Sequence, residues 1–147
     1  MIPDFVPASE VELGRRFLDS GHVVIEAENA DCLAAIRDCV VGAAAKFLGI
    51  AAPADRAAFL NGIGAHVAVA RLNDLRLAVL NHMAAQDWLR RAYYALARDA
   101  LAALVGNELV MQRRVNLSVQ LPDDSSSLLP VHADVWDGDS PFEVVLW

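Results

Sequence analysis

The C-terminal stretch of the chain, residues 128–147, reads LLPVHADVWDGDSPFEVVLW and contains its most informative residue pair. On an extended strand, side chains two positions apart point to the same face, so His132 and Asp134 can direct an imidazole and a carboxylate at one point. Together with a second histidine, these ligand types form the 2-His-1-carboxylate site that binds ferrous iron. The sequence therefore predicts that His132 and Asp134 are metal ligands on a strand.

The last residues of the sequence indicate that it belongs to a larger protein. No histidine follows His132, and residues 144–147 form an apolar run with no turn residue after it, as in a buried strand. We therefore expect this chain to be the N-terminal part of a protein whose remainder supplies the second histidine.

The segment before this stretch alternates in polarity. From Leu109 to Val119 the odd-numbered positions are mostly apolar and the even-numbered positions mostly polar, a period that predicts a long strand. Its polar face, which includes Asn116, Ser118 and Gln120, would suit the interior of a barrel that holds a polar ligand. The same face would equally suit solvent, and the spacing leaves both interpretations open.

The preceding residues have the apolar spacing of amphipathic helices. A capping box at residues 9–12 predicts a helix that ends before Gly21, and a short buried strand is expected at residues 22–26. Asp31 is the predicted cap of a second helix, from Cys32 to Leu48, which Gly49 ends.

Further helices are predicted after Pro53. A helical region from Asp55 is interrupted by glycines at positions 62 and 64, and Asn73 or Asp74 is the expected cap of the next helix. Asp87 should cap a longer helix that runs to Leu104.

The other histidines and the two cysteines are expected to have structural roles. His22, at the start of the short strand, is expected to be a polar residue at the strand edge. His66 and His82, in the helical region, have no carboxylate or second histidine at a spacing typical of metal sites. Cys32 and Cys39 are separated by two helical turns, about 10.5 Å of rise, which is too far for a disulfide.

Charge and hydropathy exclude several classes of protein. A net charge of −7 is unfavourable for a nucleic-acid groove. Although 56% of the residues are hydrophobic, no apolar run approaches the roughly 18 residues of a membrane span, and no secretory signal is evident, so a cytoplasmic location is expected. No Lys or Arg follows Arg114, and the acidic segment after it is either a solvated loop or a surface that faces a cation or a basic partner.

The order of these elements predicts a single α+β domain. Residues 1–106 would be mainly helical and residues 107–147 would form the first strands of a barrel, with the helices packed outside an incomplete jelly roll.

Longer motifs resemble a known family. Residues 116–122 (NLSVQLP) and 130–147 (PVHADVWDGDSPFEVVLW) resemble the Fe(II)- and 2-oxoglutarate-dependent oxygenases of the phytanoyl-CoA dioxygenase-like family. The similarity is greatest to the branch that occurs in bacterial surface-carbohydrate biosynthesis clusters. Residues 72–76 and 105–109 fit the same resemblance, which covers most of the chain.

The resemblance implies a double-stranded β-helix of the jelly-roll or cupin type. It implies that His132 and Asp134 bind Fe(II) with a later histidine, and that a later arginine binds the distal carboxylate of 2-oxoglutarate. Asn116 and Gln120 are candidates, by position, for the wall around the co-substrate or a small-molecule, carbohydrate-related substrate. The second histidine and the arginine are absent from this chain, so we expect no oxygenase turnover from it alone.

Two other functions are compatible with the residues. One is a non-catalytic helical interaction module whose acidic C-terminal loop contacts a partner. The other is a calcium loop at positions 134, 137, 139 and 143, which lacks the residue order that wraps a calcium ion.

Overall fold

The computed structural model describes residues 5–125, 131, 136, 138, 140 and 143–147. Within these residues the regular structure is helical, with two 3₁₀ turns, Ile63–Ala65 and Val69–Arg71, before the fourth α-helix. The α-helices are α1 (Ala8–Ser20), α2 (Ala30–Leu48), α3 (Arg56–Asn61), α4 (Leu72–Ala84), α5 (Leu89–Tyr94) and α6 (Arg98–Val105).

The first two helices end where the sequence predicts. Gly21 and Gly49 each have a φ of 70°, in the left-handed region where glycine has no steric penalty, and their amides bond back to the preceding turn. The predicted starts are wrong. Pro7 precedes α1 without any side-chain cap, and Asn29 rather than Asp31 caps α2, accepting a hydrogen bond from the Cys32 amide at 2.9 Å.

The middle helices follow the glycines, and the helical region starts at Asp55 as predicted. Asp55 accepts a hydrogen bond from the Ala58 amide at 2.9 Å and caps α3, which ends before Gly62 as expected. Asn73 and Asp74 do not cap α4, because that helix already begins at Leu72.

The single helix predicted from Asp87 to Leu104 is two helices, α5 and α6, separated at residues 95–97. The break is stabilised by Glu28, which lies far away in the sequence. Its carboxylate accepts hydrogen bonds from the Asp99 and Ala100 amides, each at 2.9 Å, and its own amide donates to the carbonyl of Leu96. No local pattern could indicate this contact.

The core lies where α2 packs against α3, α4 and α5, while α1 packs against α6. Along α4 the buried residues recur at helical spacing, which gives this helix one continuous apolar stripe. The buried cluster consists of Val41, Ala43, Ala44, Phe59, Ile63, Val67, Leu72, Leu75, Val79, Met83 and Leu89.

The α+β prediction is wrong for the part of the chain that the structure describes. The segments expected to be strands at residues 22–26, 109–119 and 144–147 contain no strand, and there is accordingly no jelly roll or double-stranded β-helix in it. A strand exists only when its backbone is hydrogen-bonded to a neighbour, whereas alternation of polarity requires only that alternate side chains be buried. The predicted strand carrying His132 and Asp134 lies outside the described residues.

None of the helices in the described ranges combines the length and the apolarity needed to cross a lipid bilayer.

Candidate functional site

The alternating segment covers one side of the helical core. We call Val115–Leu121 the cover segment. Its odd-numbered residues are partly buried and pack against the core cluster, while Asn116, Ser118 and Gln120 are exposed. The alternating polarity therefore arises because the apolar side chains are buried against helices and not inside a sheet.

Side chains of α4 and α5 hold this part of the backbone in place. The guanidinium of Arg76, on α4, donates a hydrogen bond to the carbonyl of Val119. That of Arg90, on α5, donates to the carbonyl of Met111 at 3.0 Å. Because hydrogen bonds from a charged donor are stronger than neutral ones, two arginines can fix an extended segment that has no strand beside it in the described residues.

Residues 143–147 are fixed near the same helix. The Tyr93 hydroxyl, on α5, donates a hydrogen bond to the carbonyl of Leu146, and the Gln112 amide nitrogen donates to the Glu143 carboxylate at 3.2 Å. Burial raises the pKa of the Tyr93 phenol, so the hydroxyl remains a donor at neutral pH. Segments that precede and follow His132 and Asp134 in the sequence are thus both attached to α5.

A cavity of about 260 Å³ lies between the cover segment and α2, α3 and α4. Its wall is mostly aliphatic, including Val40, Leu75 and Val79, and the polar residues Asn61, Ser118 and Gln120 also border it. None of the described residues that line it is charged. Because burying a carboxylate without a cationic partner is costly, this cavity does not fit a dicarboxylate such as 2-oxoglutarate.

The predicted site residues are only partly brought together. Gln120 lines the cavity, whereas Asn116 is exposed and does not line it. His132 and Asp134 lie outside the described residues. Elsewhere in the described ranges, no group of three or more His, Cys, Asp or Glu side chains is placed to hold a metal ion.

The structure shows the surroundings of His66, His22 and the two cysteines. The ring of His66 packs against Phe59 with 5.2 Å between centroids, and a ring nitrogen of His22 lies 3.0 Å from the Ser20 carbonyl oxygen. Cys32 and Cys39 are both free thiols, as predicted, and burial raises the pKa of Cys39. The structural interpretation of His66 is therefore supported by its aromatic contact.

Arg76 is the functional residue that the sequence interpretation missed. It lies four residues after Leu72 and three before Val79, within the apolar stripe of α4. An arginine on the buried side of a helix needs a hydrogen-bond acceptor, so its position was the available signal. The identity of the acceptor, a backbone carbonyl 43 positions away, had no signal at all.

The chain matches no protein-family model, no curated protein and no solved structure. Its function must therefore be argued from its own residues.

Proposed function

We propose that this chain is part of an Fe(II)- and 2-oxoglutarate-dependent oxygenase in which His132 and Asp134 bind the iron. The observation that carries the proposal is the His-x-Asp pair within residues 130–147, the long motif that resembles this class of enzyme. An imidazole and a carboxylate are the donor types that ferrous oxygenase sites use. A site of this class also needs a second histidine, and the described residues contain no group of three or more potential metal ligands.

The helical part of the chain would serve this site by positioning the segments on both sides of the pair. Arg76 and Arg90 attach the backbone before it to α4 and α5, and Tyr93 attaches the backbone after it. Fixing the supporting segments limits the positions that the ligands can adopt, which is what a metal site needs. Bound iron would use O₂ and 2-oxoglutarate to hydroxylate the substrate, releasing succinate and carbon dioxide.

Gln120 was a candidate for the wall around either the substrate or the co-substrate. The cavity beneath the cover segment favours the substrate. The described residues that line it are uncharged, and the polar residues Asn61, Ser118 and Gln120 border an otherwise aliphatic wall. Such a surface suits a small neutral molecule with a few hydroxyl groups, and the resemblance suggests a carbohydrate-related one.

Metal titration tests the iron ligands directly. Calorimetry with Co(II), used as an air-stable probe for Fe(II), should detect weak binding of one ion by the 147-residue chain. His132→Ala and Asp134→Ala should each lower the affinity by at least about tenfold, the effect expected for disturbing a metal site. His22→Ala is the matched control and should leave the affinity unchanged. Absence of binding, or an equal loss in the control, would contradict the proposal.

A helical interaction module is the second candidate. The observation that favours it is that the described residues are helical and leave apolar side chains exposed near the C-terminus, with Trp136 74% and Trp147 95% exposed. Large exposed aromatic side chains are typical of surfaces that bind a partner. This function requires no metal. It would replace the oxygenase proposal if the His132 and Asp134 variants bound Co(II) as the wild type does.

A further inference from the structure

The deep end of the cavity is closed to solvent. Leu75 and Val79, on α4, line the cavity, yet they are only 2% and 1% exposed. The cavity has a volume of about 260 Å³. A cavity of about 150 Å³ in another protein already admits benzene. A molecule of that size therefore fits here, but it cannot reach Val79 unless part of the wall moves.

The cover segment is the part of the wall that can move. Most of the remaining wall belongs to α2, α3 and α4, whose backbones are fixed by the hydrogen bonds within each helix. By contrast, no amide or carbonyl of residues 115–120 bonds to another backbone group in the described part of the chain. Regions with few backbone hydrogen bonds open locally at a lower free-energy cost than core helices. Opening of the cavity should therefore begin at the cover segment.

The chain is attached to the helical part of the fold on both sides of the region that can lift. On the C-terminal side, the Asp124 amide donates a hydrogen bond to the Leu121 carbonyl at 3.3 Å and closes a turn. Gly64 lies against this turn, since a Cβ at that position would be 3.4 Å from the Leu121 side chain. On the N-terminal side, the Met111 carbonyl accepts the hydrogen bond from Arg90.

Arg76 fastens the cover segment between these two attachments. It is partly buried next to Leu75 on α4, and its guanidinium donates a hydrogen bond to the Val119 carbonyl. Val119 itself lines the cavity and packs against the core cluster. Breaking this hydrogen bond therefore loosens a residue of the cavity wall.

We propose that the cover segment is a lid of this cavity and that Arg76 is its latch. When the hydrogen bond between Arg76 and Val119 breaks, the segment lifts between its two attachments and a small neutral molecule enters. A charged molecule is disfavoured, because the described residues that line the cavity are uncharged and an unpaired charge is costly to bury. The lid requires no metal and does not depend on whether His132 and Asp134 bind iron.

Cysteine labelling tests whether the lid opens. In a Cys32→Ala, Cys39→Ala background, V79C places a thiol at the deep end of the cavity. V41C is the matched control, since Val41 is also 1% exposed but does not line the cavity. Methyl methanethiosulfonate, a small neutral thiol reagent, should label V79C at least about tenfold faster than V41C, because local opening is more frequent than global unfolding. Equal rates would mean that global unfolding exposes both thiols, and the lid would be rejected.

Arg76→Met tests the latch. It should raise the labelling rate of V79C by at least about tenfold, because loss of one hydrogen bond from a charged donor shifts an opening equilibrium by that factor or more. The rate of V41C should stay unchanged, and Arg91→Met, on the exposed side of α5, should change neither rate. The proposal is overturned if Arg76→Met accelerates both thiols equally, which would indicate a general loss of stability, or if it accelerates neither.

Reagent charge tests which molecules the cavity admits. The labelling rates with methyl methanethiosulfonate and with its anionic sulfonatoethyl analogue are compared at V79C and at S20C, which lies at the exposed end of α1. The ratio of the neutral to the anionic rate should be at least about tenfold larger at V79C, since a sulfonate is costly to bury without a cation. Equal ratios would refute the preference for neutral molecules. These experiments contain no metal, so failure of the lid leaves the iron proposal intact.

Discussion

The carboxylate of Glu28, a residue outside α6, caps the N-terminus of that helix. Its two oxygens accept hydrogen bonds from the amides of Asp99 and Ala100, the former 71 positions later in the chain. The residue before α6 is Ala97, which offers no side-chain acceptor. A negative charge at this end also interacts favourably with the helix dipole, so one side chain supplies both the hydrogen bonds and the charge that α6 needs.

Replacing Glu28 with alanine should therefore destabilise the protein. We expect the free energy of unfolding to fall by about 1–2 kcal/mol, the usual effect of losing a helix cap, when measured by urea denaturation. Glu26→Ala is the matched control, because Glu26 is an exposed carboxylate two residues away. Equal stabilities of the two variants would show that the contact with α6 contributes nothing.

The phenol of Tyr93 should make stability depend on alkaline pH. Burial raises the pKa of Tyr93 in the folded protein above its unfolded value of about 10. The stability linked to the neutral phenol is thus fully present below the unfolded pKa and is lost as pH rises through the folded pKa.

Thermal unfolding at several pH values checks this dependence. Wild type should exceed Tyr93→Phe in melting temperature below a pH of about 10, because only the wild type donates a hydrogen bond to the Leu146 carbonyl, and the difference should shrink above it. Tyr94→Phe keeps the Tyr93 hydroxyl and should lose stability in the same range as the wild type. A difference between wild type and Tyr93→Phe that is constant with pH would contradict the assignment.

At the scale of elements, the cover segment depends on side chains of the helices beneath it. Arg76→Met keeps a long apolar stem within the stripe of α4 but removes the donor to Val119. A carbonyl left without a partner costs about 1–3 kcal/mol if it stays buried, so the cheaper response is for the segment to separate from the helices. Hydrogen exchange of amides 117–121 should accelerate in this variant. Arg91→Met, on the exposed side of α5, is the control, and unchanged exchange in Arg76→Met would contradict the role of Arg76.

The elements also show what a sequence can and cannot predict. Gly21 and Gly49 end their helices as expected, because the left-handed conformation is a local property of glycine. The alternation at residues 115–121 correctly predicts which side chains are buried and which are exposed. It does not predict whether the surface that buries them is a sheet or a group of helices. The break between α5 and α6 had no local signal, since the carboxylate that stabilises it comes from Glu28.

At the scale of the whole molecule, the helical core acts as a platform for extended segments. The cover segment lies on α2, α3 and α4 above an uncharged cavity, and residues 143–147 contact α5. Of the predicted site, Gln120 borders this cavity and Asn116 does not, because two repeats of the strand period separate them by about 13 Å along the segment. His132 and Asp134 remain a prediction from their spacing and motif.

This arrangement leads to a prediction about catalysis by the chain as it stands. Only two protein ligands, His132 and Asp134, are assigned to the proposed iron site, and none of the described residues that line the cavity is a cation for a dicarboxylate. With Fe(II), 2-oxoglutarate and ascorbate, the 147-residue chain should therefore produce no more succinate coupled to oxygen uptake than its His132→Ala variant, although the wild type alone should bind Co(II). Succinate formation that requires both His132 and Asp134 would instead mean that this chain holds the complete site, with its third ligand among the residues already present.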